Sequence, residues 1–293
     1  MISICIPTYN NDCTRLLEAL KKELVQLNNK IEVLVADDGS TVHHKKNEKK
    51  SNDFGFRYIK MKENFGRVLT RIRLAKQSRN SFILFIDSDM TPANPHFIKN
   101  YLDNIAAHPN VQAFFGGYSY ENTIVNKNLR YIYGKNREQK KANYRSKIPY
   151  KFIFSGNMLI SKKLFVKSSK IFDDVYGLDL LLGSSLKKSN IPILHIDNET
   201  THHGIDDNNL FLSKTKSSSA SLRNYYEANI IGADQNNLIY VFEKLRKYRL
   251  NFIFCNSFLP IGKCLHYILK LYGKPLILFD WYRLYYFSNP KKS

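Results

Sequence analysis

From Ile2 to Tyr118 the sequence alternates between two hydrophobic periods, and that alternation constrains the fold more than any other feature. "ISICIP" is a short apolar run that stops at Pro7, so it reads as a strand. Asp12 to Leu27 then places Leu16, Leu17, Leu20, Leu24 and Leu27 at helical spacing. "IEVLVADDGS" is a second buried strand, ending in Asp37-Asp38-Gly39-Ser40, and "FRYIKM" is a shorter third. Asn64 to Arg79 is helical, "FILFID" is a fourth strand, and a helix near Pro95–Ala107 leads to a strand at "VQAFFGGY". Apolar strands separated by helices predict an α/β chain with a mostly parallel sheet covered on both faces.

Open sheets of this kind bind ligands beyond the carboxyl ends of their strands. Here those ends carry Thr8, Asp37, Asp38, Asp87 and Asp89, so the polar clusters fall on one rim. Asp87-Ser88-Asp89 is the sharpest of them. In an extended segment residues i and i+2 point the same way. Two carboxylates so placed share a hard divalent cation and, through it, a diphosphate. Oxygen ligands suit Mg²⁺ or Mn²⁺. Asp-x-Asp is also common in turns, so the weight comes from the other strand ends on the rim.

Charge bears on partners. There are 45 Lys+Arg against 25 Asp+Glu, a formal net charge of +20. That balance favours a polyanionic partner, whether nucleic acid, an anionic membrane or a phosphorylated substrate. A solvated, lysine-rich surface produces the same number. Residues 121–170 hold 13 of the basic residues and only Glu121 and Glu138 as acids, with Tyr131, Tyr133 and Tyr144 interleaved. A single-stranded nucleic-acid surface has this composition, and so does a mobile, solvated loop over an active site, which is the expectation adopted; "FIFSGNMLISKKLF" then returns to order, with Ser155-Gly156-Asn157 as a turn into an apolar strand. Cys5, Cys13, Cys255 and Cys264 are scattered and predict free thiols in a reducing compartment. "MISICIPTYNND" lacks a basic n-region and does not read as a signal peptide. No window reaches the ~18 uninterrupted apolar residues of a spanning helix. The expected location is cytoplasmic, with peripheral attachment to the inner face of the cell membrane as an option.

The motifs in order resemble family 2 glycosyltransferases of the GT-A fold, in the form found in bacterial cell-surface polysaccharide synthesis. "CIPTYNN", "VADDGS", "ENFGRVLTRIRLA" and "LFIDSDM" resemble the nucleotide-sugar half; "FSGNMLISKKLF", "GLDLLLGSSLKKSNIPILHIDN" and "THHG" resemble the acceptor half. The resemblance covers residues 1–215, with 1–120 as the nucleotide-sugar half and 121–215 as the acceptor half. It implies a Rossmann-like central sheet flanked by helices, with residues 216–293 as a helical, basic and aromatic extension.

The same resemblance implies inverting transfer of a sugar from a nucleoside-diphosphate donor to a glycan or polyprenyl-linked glycan, with Mn²⁺ or Mg²⁺ as cofactor. Thr8 would border the base. Asp38, or its neighbour Asp37, would accept hydrogen bonds from base or ribose. Asp87 would sit near the ribose and Asp89 would ligate the metal. Arg67 and Arg71, one helical turn apart, would serve as phosphate donors or else form a solvated helix face. His202, in the loop beyond the strand read at "IPILHI", takes the position of a metal-ligating histidine, with His203 adjacent as a substitute. His195, inside "IPILHI", reads as a core histidine.

Inversion needs a general base to take the acceptor proton. The family's acidic Glu-Asp pair reads Leu178-Asp179 here, so the base falls to Asp179, with helix capping as its other reading. Asp173 and Asp174 lie upstream and off-register. The C-terminal stretch, rich in Phe, Tyr and basic residues and holding Trp281, predicts an interfacial amphipathic helix or a packed helical cap. Three further readings compete: a relative that binds nucleotide sugar with impaired catalysis, a nucleotidyltransferase, and a nucleic-acid-binding protein. The last leaves the carboxylate rim unexplained, so nucleic acid is not the expected partner.

Overall fold

The computed structural model describes residues 1–27, 31–122, 127–169 and 177–289, with the backbone alone at 256–263. The candidate bases Asp173 and Asp174 lie outside the described residues, as do Lys291 and Lys292 of the tail. Two compact units emerge, one from 1–121 and 139–204, the other from 122–138 and 205–293. The helical unit thus starts before residue 215 and takes in a segment that the sequence reading assigned to the acceptor half.

The first unit is built on seven strands: β1 (Ile2–Thr8), β2 (Glu32–Asp37), β3 (Arg57–Lys60), β4 (Phe82–Ile86), β6 (Ala113–Phe115), β8 (Asn157–Ser161) and β9 (Ile193–His195). Their order is β3-β2-β1-β4-β8-β6-β9. β8 runs antiparallel to β4 and β6, and the other pairings are parallel. Ile2, Ile4, Ile6, Val33, Leu34, Val35, Ile83, Leu84 and Phe85 are buried, as strands covered on both faces require. A second, small sheet joins β5 (Met90–Pro92), β10 (Thr200–His202) and β7 (Tyr118–Ser119) in the order β5-β10-β7.

Helices α1 (Thr14–Gln26), α2 (His44–Asp53), α3 (Gly66–Gln77) and α4 (Phe97–Ala107) connect the strands. Leu16, Leu17 and Leu20 bury the apolar face of α1. Further along, Glu23 turns inward, and its carboxylate accepts the Ile98 and Lys99 amides at the start of α4. That fixes α4 by charge at its positive end. α2, HKKNEKKSND, has no apolar stripe. It is held instead by buried Asn47, which accepts from the Cys13 amide and donates to the Asn11 carbonyl.

The expected solvated loop of 121–170 is largely built structure. Up to Lys151 it contains α5 (Leu129–Tyr133), a π-helical turn at Gly134–Glu138, α6 (Ala142–Arg145) and a 3-10 turn at Pro149–Lys151; β8 and α7 (Lys162–Ser168) then follow in the stretch that the sequence reads as a return to order. Arg145 is fully buried and donates to the carbonyls of Lys140, Phe115, Gly116 and Ile196 and to Nδ1 of His195. His195 is the core histidine expected: its other nitrogen meets the Pro149 carbonyl at 3.0 Å. Burial and the Arg145 charge push its pKa down to about 4, so it is neutral. Helix α8 (Leu178–Lys188) follows in the same unit.

The second unit consists of α5, the π-helical turn, α9 (Asn208–Glu227), α10 (Asn237–Lys247), α11 (Asn251–Tyr272) and α12 (Leu276–Ser288). Leu129, Leu212, Leu265, Leu269, Phe279, Tyr282 and Tyr285 form its core. Tyr282 and Tyr285, in the C-terminal stretch read either as an interfacial helix or as a packed cap, are therefore packing residues. Among the described residues no helix is long and apolar enough to cross a membrane. All four cysteines are free, as expected.

Candidate active site

The site lies where β4 ends. The segment after Ile86 is a turn rather than an extended strand, closed by the Met90 amide donating to the Asp87 carbonyl at 3.1 Å. The same-side argument for Asp87 and Asp89 therefore does not hold, and the two carboxylates take different partners.

Asp87 pairs with Arg71 of α3. Arg71 is 2% exposed, and its guanidinium also donates to the Arg67 carbonyl at 3.1 Å. It is thus neither on a solvated face nor an open phosphate donor. Arg67 is the exposed member of the two, and its charge acts on Asp89. Gly156 closes against Asp87: a Cβ there would stand 2.7 Å from its Oδ2 and 2.6 Å from the Tyr118 hydroxyl. The Gly156 amide donates to that hydroxyl at 3.1 Å.

Asp89 faces His202. Oδ2 of Asp89 and Nε2 of His202 are 3.4 Å apart. His202 is not in a loop beyond β9, as the sequence suggested. It ends β10, whose antiparallel register with β5 sets His202 opposite Met90, the neighbour of Asp89. Burial would raise the Asp89 pKa, but the hydrogen-bonding capacity and charge of His202, with Arg67, hold it below the usual value. Gly204 completes the cradle: a Cβ there would lie 2.1 Å from Asp89 Oδ2. His203 is no substitute ligand. Its Nε2 meets Thr91 Oγ1 at 2.8 Å and its Nδ1 faces Arg15 and Glu121.

Asp179 enters from α8. Gly177, not Asp179, is the N-cap of that helix, so the capping alternative falls away. Oδ1 of Asp179 instead accepts the Ser155 amide at 3.0 Å, across to the turn preceding β8. The charges of Arg71 and Asp87 both reach it. Burial raises its pKa, against the lowering by Ser155 and Arg71, and Asp87 adds to the rise. Leu178, which the sequence reading set in the place of the family's Glu, is buried.

The strand-end residues on the other side of the rim are satisfied within the protein. Asp38 is 4% exposed, and its two oxygens accept the Phe65 and Gly66 amides at 2.8 and 2.9 Å, capping α3. Buried Asp37 accepts from the Ser40 amide and from the Tyr58 hydroxyl. Buried Thr8 donates to the Asn11 carbonyl. The sequence placed these residues on the rim; it did not show that each one also holds a turn or a helix end. Tyr118, Gly156 and Gly204 were not singled out as site residues. The only signal was a glycine inside "FSGN" and "THHG", and the close approach each makes depends on a second segment.

Among the described residues, no three His, Cys, Asp or Glu side chains cluster as a ready-made metal site. The Asp89–His202 pair nonetheless fits Mg²⁺ or Mn²⁺. Such ions commonly take one or two protein ligands and complete their shell with substrate phosphate oxygens and water. Two donors at about 2.1 Å and right angles on one octahedral ion lie about 3 Å apart, close to the separation seen here. Nδ1 of His202 is buried without a partner, which leaves Nε2 as the nitrogen in play.

The mostly parallel central sheet flanked by helices is that of the GT-A glycosyltransferase fold. The glycosyl transferase family 2 profile matches residues 3–168, and the chain belongs to that family. It is a glycosyltransferase. Solved structures share the fold. TarS of S. aureus matches at 20% identity and TM-score 0.54, over 76% of this chain and 40% of TarS. A TarS piece, residues 1–349, matches at 16% and 0.55, over 99% of this chain and 90% of that one. Glucosyl-3-phosphoglycerate synthase from Mycobacterium tuberculosis, solved with Mn²⁺, UDP and glucosyl-3-phosphoglycerate, matches at 17% and 0.52, over 76% of this chain and 78% of that one. No curated protein matches the sequence at a significant level.

Proposed function

We propose that the chain transfers a sugar, with inversion and with a divalent metal, from a nucleoside-diphosphate sugar to a glycan or polyprenyl-linked glycan. The observation that carries this reading is the meeting, at the end of β4, of Asp89 with His202 and of Asp87 with Arg71, the second of these pairs being within electrostatic reach of Asp179. Mn²⁺ and UDP accompany the synthase that shares this fold, which supports the same class of donor here.

Asp89 and His202 would hold Mn²⁺ or Mg²⁺. When bound, the ion supplies positive charge that offsets the charge developing on the departing diphosphate. Arg67 adds an exposed cation on the same side as Asp89. Asp87, fixed by Arg71, offers its remaining oxygen to the ribose hydroxyls. Asp38 and Asp37 act on the donor indirectly: they fix the α3 start and the β2 turn, whose backbone and exposed neighbours line the base. Thr8 holds the β1 turn in the same way. Asp179 takes the acceptor hydroxyl proton. A carboxylate whose pKa is raised is a stronger base than one in water, which suits that role.

Leu178 favours one competing reading, a nucleotide-sugar binder with weak catalysis. One experiment series separates the readings. Thermal stability is measured with UDP and GDP, with and without Mn²⁺, followed by assay of nucleotide release from UDP- and GDP-sugars. Metal-dependent stabilisation with release on adding acceptor supports transfer. Stabilisation without release under any acceptor supports the binder. No stabilisation by either nucleotide overturns both.

A further inference from the structure

The surface that the site does not use lies in the helical unit, at the junction of α10 and α11. Helix α10 buries Leu238, Ile239 and Phe242, and its last turn carries Lys244, Arg246 and Lys247. The chain then reverses at Arg249, which takes a left-handed φ of 56°. The turn is closed by the Arg249 amide on the Arg246 carbonyl and the Leu250 amide on the Leu245 carbonyl. Helix α11 begins at once at Asn251, with no side-chain cap.

This reversal puts large apolar side chains into solvent. Tyr248 is 66% exposed, Leu250 45%, Phe252 74% and Ile253 59%. Single exposed apolar residues are ordinary, but a contiguous set marks an interaction surface. The cations lie in the same short segment, where Glu243 is the one acid beside them. From Asn237 to Asn289 the only other acid is Asp280, and it is taken up by Arg137 at 2.9 Å. Lys244 lies over the Tyr240 ring and Arg246 over Phe242. Lys247 and Arg249 are exposed and have no ion-pair partner among the described residues.

We infer that the α10–α11 junction docks on an anionic lipid bilayer, with Leu250, Phe252 and Ile253 entering the headgroup boundary and Lys247 and Arg249 meeting the lipid phosphates. Charge decides between occupants. A second copy would bring the same cations face to face. A nucleic acid would satisfy the cations but leave Leu250 and Ile253, which cannot stack on bases, against a polar surface. A bilayer alone answers both halves of the patch, apolar side chains below and anions at their level. Phe252 belongs to the C-terminal stretch whose aromatics the sequence reading set at a membrane, whereas Tyr282 and Tyr285 of the same stretch are buried.

Co-sedimentation of the full chain with phosphatidylcholine vesicles, and with vesicles containing one quarter phosphatidylglycerol, tests the inference. The intact chain should partition to the anionic vesicles and ignore the neutral ones, with binding weakened as salt rises. The double variant Phe252→Ser, Ile253→Ser should lose at least about tenfold in partitioning. Lys247→Gln with Arg249→Gln should lose about fivefold per cation. Both variants should keep the parent thermal midpoint, since the four side chains are exposed. No binding of the intact chain at low salt overturns the inference, and so does binding that both variants retain. Two further outcomes also overturn it: a concentration-dependent dimer abolished by the variants, or oligonucleotide binding abolished by them while vesicles are ignored.

Discussion

Nε2 of His202 stands 3.4 Å from Oδ2 of Asp89 because β10 pairs with β5 and sets His202 opposite Met90. The pair is therefore made by a register, not by proximity in the chain. A glycine closes it from behind, with no room for a Cβ at Gly204.

Removing either member should remove metal-linked donor binding. Asp89→Ala and His202→Ala are each expected to weaken Mn²⁺-dependent UDP binding by 10-fold or more, on the order seen for loss of groups that hold or orient a metal. Calorimetry with UDP in Mn²⁺ and again in EDTA reads this directly. Unchanged Mn²⁺ dependence in both variants would remove the metal role from this pair.

Gly204→Ala tests the cradle without deleting a ligand. A methyl group 2.1 Å from Oδ2 must displace the Asp89 carboxylate. Mn²⁺-dependent UDP affinity should fall, while metal-free nucleotide affinity and overall helicity by circular dichroism stay near the parent values. Parent-like affinity in Mn²⁺ would show that Asp89 is free to move.

Asp179→Asn should leave donor affinity intact and cut transfer by about 10²–10⁴-fold, the usual worth of a positioned base. In the parent, transfer should fall as pH drops through the raised pKa of Asp179, so the ascending limb of kcat/KM lies above the ordinary carboxylate range. Stability moves the other way. Burial raises the folded pKa above its unfolded value of about 3.8, so the folded state holds the proton more tightly. That contribution is fully present below the unfolded pKa and is lost as pH rises through the folded one. Asn escapes the loss. The variant should melt higher than the parent at neutral pH, and the gap should close in acid. A variant with parent-like transfer places the base elsewhere.

Arg71→Met strands the Asp87 carboxylate. Breaking a buried pair by removing one partner costs about 3–5 kcal/mol, and the partial exposure of Asp87 argues for the low end, about 3 kcal/mol. Adding Asp87→Asn should recover part of that. A double-mutant cycle by denaturant titration measures the coupling, and additive effects would mean that the two residues do not act as a pair.

The α/β class was legible because buried parallel strands need unbroken apolar runs and their covering helices need a stripe. "ISICIP", "IEVLVA" and "FILFI" became β1, β2 and β4 nearly as read. α2 was not legible, since it has no stripe and is held by Asn47 bonding to another segment. The "VQAFFGGY" strand broke in two at Gly116-Gly117, where β6 feeds the large sheet and β7 the small one. Asp38 shows the limit of motif reading. Its position at a strand end was evident, but only the fold shows both oxygens already spent on the α3 amides.

By itself, then, the sequence determined the main strands of the large sheet and the polar residues that end them, and it marked Asp87, Asp89, Asp179 and His202 as candidates through their resemblance to one family pattern. Those are properties of short stretches, set by local period and by the order of motifs. Tertiary structure alone decided who faces whom: Asp87 with Arg71, Asp89 with His202, Asp179 with the Ser155 turn. Each of these pairs joins segments far apart in the chain. What brings them together is sheet register and helix packing, which depend on burying the whole apolar surface at once rather than on any one stretch.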